Sequence, residues 1–95
     1  MTKPSSYQDH VVEGALVLVL TRGYHFVGRI ALVTALRLVL VDVTMFVDVG
    51  QIDLAVKGEW DGNAHGRQVG DADLYRPSCD ILRFKGKLPR APIGN

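Results

Sequence analysis

The last fifteen residues carry Arg83, Lys85, Lys87 and Arg90 and no acidic side chain. Arg83, Lys85 and Lys87 alternate, so a strand through them would project all three from one face and turn Phe84 to the other. Cations at that spacing can follow a phosphate backbone, which supplies affinity without reading sequence. The same alternation suits a charged sheet edge that repels other edges. A second group, Tyr24, His25, Arg29 and Arg37, falls on segments expected to be neighbouring strands. An aromatic ring beside cations can stack an unpaired base. Tyr24 also has a competing place in the core, because it shares strand parity with Phe26.

Other chemistry-bearing residues do not complete a site. Asp61, Asn63 and His65 before Gly66 open like a calcium loop, but His65 is the wrong ligand and Ala72 stands where a bidentate Glu is required. The segment reads as a solvent loop. His10, His25, His65 and Cys79 lack the CxxC or HxxxH spacing of a compact zinc site. Cys79 precedes Asp80, whose charge raises a thiol pKa and opposes activation as a nucleophile. Asp71 and Asp73 read as a solvated edge. Neither a glycine-rich phosphate loop nor a GxSxG elbow occurs. The chain is therefore expected to be non-enzymatic, with no catalytic residue, metal or cofactor.

With 95 residues, 47% hydrophobic and 22% charged, the chain has the size and composition of one globular domain. Its net charge of +1 argues against a uniformly basic nucleic-acid binder. The charges are segregated, however: residues 42–80 are predominantly acidic and residues 81–95 purely basic. Cys79 is the only cysteine, so no internal disulfide can form. The opening MTKPSSYQDH lacks the apolar run of a secretory signal. Glu13 and Gly14 interrupt one apolar stretch, and Arg37 and Asp42 another, short of the roughly 20 apolar residues a membrane helix needs. A cytoplasmic protein with no membrane partner is expected.

The elements that must position these residues are mostly strands. Ala15–Thr21 and Tyr24–Val33 read as the first two, with Tyr24, Phe26, Ile30 and Leu32 on one face and Gly28 in their register. His25, Val27, Arg29 and Ala31 take the other face. Gly28 in a strand interior signals a bulge or sharp bend. Leu36–Val47 is the third and longest strand. It lacks the polar alternate of a half-wet strand over Leu38–Val41, so both of its faces demand a cover, from this chain or from a copy of it. Gln51–Lys57 fits a short helix closed by Gly58, with a strand in competition. Glu59–Gly70 reads as a glycine-rich polar loop around Trp60, Asp71–Pro77 as a brief edge strand, and Cys79–Lys85 as the last strand.

Two resemblances follow from these segments. Gly23, Phe26, Gly28, Ile30 and Leu38–Val41 resemble the first motif of Sm-like proteins: a turn glycine, an apolar residue, a second glycine five positions on, an apolar strand, a turn and a long bent strand. Thr34 replaces the loop Asp of that motif. The resemblance implies a ring-forming, RNA-binding barrel in which Tyr24, His25, Arg29 and Arg37 reach a face or pore. The run of an apolar strand, Gly28, Leu38–Asp42, a helix ending at Gly58, and ILRFKGKLPRAP with Leu88, Pro89 and Arg90 is similar to a family of short phage and prophage proteins of unknown function. That family brings no activity with it.

The expected architecture is a mainly β chain, a small strongly bent antiparallel barrel of SH3-like or Sm-like type with four or five strands and one short helix. Residues 1–10 would be a flexible arm, 11–88 the barrel and 89–95 a tail. The expected function is binding by a homo-oligomer. One candidate ligand is single-stranded RNA, held by Arg83, Lys85, Lys87 and Arg90 with Tyr24, His25, Arg29 and Arg37. The alternative is a phage or mobile-element accessory protein that binds a phage or host protein, or a small anionic metabolite between subunits.

Overall fold

A computed structural model describes residues 9–94. Five antiparallel strands form one sheet, β1 (Leu16–Leu20), β2 (His25–Val33), β3 (Arg37–Asp48), β4 (His65–Tyr75) and β5 (Asp80–Arg83), in the order β4-β3-β2-β1-β5. A single short helix, α1 (Ile52–Ala55), follows β3, and a 3-10 turn at Arg76–Ser78 joins β4 to β5. The sheet is not closed, and β4 and β5 are its two edges. The predicted arm, with a helical turn at Ser6–Glu13, lies largely outside the described residues; Asp9–Gly14 forms turns and bends.

Strand β1 explains the middle of the sheet. Its sequence LVLVL is apolar at every position, and Val17, Leu18 and Val19 are fully buried although they point alternately to opposite faces. Val17 and Val19 join Val11, Ile30, Leu38, Leu40 and Val43 in a first core. Leu18 joins Val27, Phe46, Val49, Ala55 and Phe84 in a second core on the other face. Burying a Leu or Phe side chain stabilises by about 1.5–3 kcal/mol. A strand shared by both layers therefore ties them together.

Strand β3 does not bury both faces over Leu38–Val41, where Val39 and Val41 are half-buried; it changes its buried face along its length. Leu38 and Leu40 enter the first core, but so does Val43, with parity opposite to theirs. The switch falls at Asp42, whose φ of 54° lies in the left-handed region. Asp is one of the few non-glycine residues that visit this region routinely. Pairing with β4 jumps from Leu40↔Ala72 to Val43↔Gly70 across this bulge. Beyond it Thr44 and Phe46 face the second core, while Val47 is 64% exposed. Opposite the bulge, β2 approaches so closely that a Cβ at Gly28 would lie 3.0 Å from the Val41 carbonyl oxygen.

The second face is covered by pieces that are not strands. Trp60 lies between Phe46 (centroids 4.7 Å apart) and Phe84 (6.1 Å), in a run of stacked rings. Helix α1 brings Ala55 and closes at Val56, and Gly58, with φ 78°, ends the turn that follows. Gly58 and Gly86 face each other as bare backbone, since a Cβ on Gly86 would come 2.6 Å from the Gly58 Cα. The Lys85 N–H donates to the Val56 carbonyl at 2.7 Å and fixes this approach.

Two expectations need correction. The predicted loop over Glu59–Gly70 is half strand, because β4 is an eleven-residue strand beginning at His65. It is an edge strand with few apolar residues, so it lacks the alternation that marks a covered strand; its backbone pairs along β3. In β2 the predicted parity breaks between Ile30 and Leu32, where the register shifts, so that Val33 rather than Leu32 packs on the first core.

Candidate ligand-binding surfaces

The eight cationic and aromatic candidates are not gathered in one place. Arg37 extends along β3 to Asp73 on β4 and donates to both carboxylate oxygens, at 2.8 and 3.3 Å. The pairing holds Asp73 below the usual carboxylate range and raises Arg37 further. Its donors are thus committed to a neighbouring strand. His25 is half-buried, and its Nδ1 accepts the Thr21 N–H at 3.4 Å. The Thr21 hydroxyl donates to the Tyr24 carbonyl, so these residues form a tight turn into β2. Tyr24 is 49% exposed and does not take the core place its parity suggested. It shares a shallow, open groove with Met45, Val47 and Arg67.

At the opposite edge the expected alternation is cut short. Strand β5 ends at Arg83, and Lys85 and Lys87 lie in the irregular segment that packs on Gly58. All three are exposed, and none makes an ion pair among the described residues. Arg83 opens onto a broad trough of about 730 Å³ along the outer side of β5, lined also by His10, Arg76, Cys79 and Asp80. Phe84 N–H donates to the Leu16 carbonyl, so Phe84 and Leu82 bond inward to β1 and the Ile81 backbone faces out. The His10 ring meets that outward Ile81 carbonyl at 2.8 Å from Nε2. Cys79 is half-buried; burial pushes its thiol pKa up and the Asp80 charge adds to the effect.

Arg29 and Arg90 are 61 positions apart in sequence yet line one cleft of about 280 Å³. Arg29 comes from β2, and Arg90 from the C-terminal segment that crosses the end of β4. That segment is fastened on both sides of Arg90. Leu88 packs against the second core, the Ala91 carbonyl accepts from Gln68 Nε2 at 3.0 Å, and Ile93 exchanges two backbone hydrogen bonds with Gly66. Asp42 stands 4.0 Å from Arg29 Nε, an ion pair beyond hydrogen-bond reach. Val43, Gly70 and Pro89 complete the walls.

Gln68 and Asp42 were not foreseen as site residues. Gln68 lies in what reads as a polar loop and carries no local signal. Asp42 did carry one: a single acid inside a long apolar run is either a break or a bulge. Asp61, suggested by its spacing as a calcium ligand, instead accepts the N–H groups of Gln51 and Asn63 at 2.9 and 2.8 Å. Those hydrogen bonds lower its pKa and pin the loop to the start of α1. Among the described residues no three His, Cys, Asp or Glu side chains gather as a metal site, and no helix is long and apolar enough to cross a membrane.

Comparison with protein-family models, with curated proteins and with solved structures finds no match.

Proposed function

We propose that the chain is a non-enzymatic, homo-oligomeric β module of Sm-like kind that binds single-stranded RNA through its phosphates. The observation that carries this reading is the set of exposed cations Arg83, Lys85, Lys87 and Arg90, which are free of ion pairs among the described residues, whereas Arg37 is neutralised by Asp73. Arg83 and the adjoining trough provide a track for a backbone, and exposed Tyr24 with Arg67 provides a place for a base to stack. The antiparallel meander β1 to β3, followed by a short helix and two further strands, supports the resemblance to SH3-like or Sm-like chains.

Two edges support self-association. Strands β4 and β5 are the two edges of an open sheet, and backbone groups left unpaired along such edges can accept a strand of a second copy in head-to-tail pairing. Pairing of this kind closes a ring or extends a filament.

Fluorescence anisotropy with a short labelled RNA tests the ligand. Binding should weaken linearly in log–log form from about 50 to 200 mM salt, with a slope near −0.7 for each phosphate neutralised. Replacing Arg83, Lys85 and Lys87 by Gln should flatten that slope by about two. Absence of binding at the lower salt, or binding that salt does not alter, overturns the RNA reading. Native mass spectrometry tests assembly, and a strict monomer overturns it.

A second reading, a phage or mobile-element accessory protein that binds a protein partner, is favoured by a different surface. Leu32, Val39 and Tyr75 share one face near the β2–β3 turn, where Tyr75 is 61% exposed and Leu36 58% exposed. Tyr75→Asp should abolish association with a protein partner while leaving RNA affinity unchanged.

A further inference from the structure

The arginines of the sheet differ sharply in how their donors are used. Arg37, outside the cleft, is bound through two hydrogen bonds to Asp73. Among the described residues the Arg29 side chain has only the 4.0 Å approach of Asp42, too long to be a hydrogen bond, and both side chains are substantially exposed. Such a pair is worth about 0–1 kcal/mol and does not compete strongly with a better-placed anion. Arg90, across the cleft, has no ion-pair partner among the described residues.

Arg90 is nevertheless positioned. Pro89 restricts the backbone immediately before it, Leu88 is anchored in the second core, and Gln68 holds the carbonyl immediately after it. The opposite wall is fixed too, because Arg29 follows Gly28 at a close approach of β2 to β3. Gly70 leaves one wall as bare backbone. Two guanidinium groups against one carboxylate give the cleft a net charge of one, matching an oxyanion of single charge. Guanidinium groups suit phosphate and carboxylate because their planar donors meet paired oxygens.

We propose that this cleft is a binding site for one small oxyanion, a phosphate or carboxylate group, which bridges Arg29 on the sheet to Arg90 on the C-terminal segment. A bound anion would then fasten that segment onto β4. The consequence reaches beyond the cleft, since the same segment covers the β4 edge through the Gly66–Ile93 backbone pair. Anion occupancy and edge coverage are coupled. The site does not depend on RNA recognition: RNA binding can fail while a small anion still saturates the cleft.

The test is a titration of the full ¹⁵N-labelled chain with sodium phosphate and, separately, sodium acetate, at constant ionic strength made up with chloride. Saturable amide shifts should localise to Arg29, Gly70 and Arg90, and exchange of the Gly66 and Ile93 amide protons should slow as the site fills. Arg29→Gln and Arg90→Gln should each weaken binding about tenfold or more, the loss expected for a charge-assisted contact. Arg83→Gln should leave it unchanged, and Asp42→Asn should tighten it by removing the competing carboxylate. Saturation by phosphate alone assigns a phosphate-bearing ligand, and by acetate alone a carboxylate. Shifts that fail to saturate with either anion, an equal effect of Arg83→Gln, or unaltered exchange at Gly66 and Ile93 overturn the proposal. Should Arg29→Gln fail to fold, Arg90→Gln, on the exposed segment, decides the question alone.

Discussion

The first core is built almost wholly by strands, whereas the second is completed by α1, the loop at Trp60 and the C-terminal segment. In the first, Val17, Val19, Ile30, Leu38, Leu40 and Val43 are aliphatic and lie on three consecutive strands. In the second, Phe46 and Phe84 meet Trp60, and Leu88 and Ile93 close the edge. The first core gathers side chains of β1, β2 and β3 on one side of the sheet, with Val11 added from the turns before β1. The second face would be wet without segments that come from far along the chain. Functional surfaces follow the same division. The cleft of Arg29 and Arg90 exists only because the C-terminal segment returns across β4.

The comparison is most severely tested at Phe46, which is fully buried and stacked on Trp60. Phe46→Ala should cost about 3–5 kcal/mol in chemical denaturation. Trp60 fluorescence and far-UV circular dichroism should still report one shared, lowered midpoint, because β1 belongs to both cores. A residual circular-dichroism transition at the wild-type midpoint would show that the second core is a separable layer. Leu40→Ala should cost about 2–4 kcal/mol and again move both signals together.

A smaller effect is expected at the bulge. Gly28→Ala places a methyl group 3.0 Å from the Val41 carbonyl oxygen and 3.1 Å from Val43 Cγ2. The crowding should cost about 1–3 kcal/mol, visible as a lower denaturation midpoint. A neutral result would mean that β2 and β3 separate easily there, which would loosen the wall that holds Arg29.

The smallest change concerns the loop beneath the second core. Asp61 has a folded-state pKa below its ordinary value of 3.8, first through the Gln51 N–H and then through the Asn63 N–H. A lowered folded pKa stabilises the fold fully above the unfolded value, and this contribution is lost as pH falls through the folded value. Asp61→Asn should therefore lower stability at neutral pH and reduce the loss seen on acidification below about pH 4. Asp73 shifts in the same direction and remains in the variant as part of the residual acid dependence. Thermal midpoints measured from pH 2.5 to 7 check the result; identical pH profiles for the two proteins would remove Asp61 as a staple.

Much of the first core was legible from the chain. Apolar, β-branched runs located β1, β2 and β3 within one or two residues, while the helix expected over Gln51–Lys57 is shorter, Ile52–Ala55, and closes at Val56 before Gly58. Strand β4 was not legible, because an edge strand of polar residues and glycine gives the same local pattern as a loop. The candidate cations were identifiable by type, but their availability was not. Arg37 and Arg29 look equivalent in sequence, and only the position of Asp73 on β4, diagonal to Arg37, ties up one of them.

The sequence by itself determined that this is a β-rich chain, that its third strand is long and apolar, and that its basic charge concentrates at one end. These properties are carried by residue type and short-range period, which act within a few positions. Tertiary structure alone decided that β3 changes faces at Asp42, that Trp60 stacks between Phe46 and Phe84, and that Arg90 comes to stand across a cleft from Arg29. Each depends on segments far apart in the chain meeting across the sheet, and local preference carries no information about such a meeting.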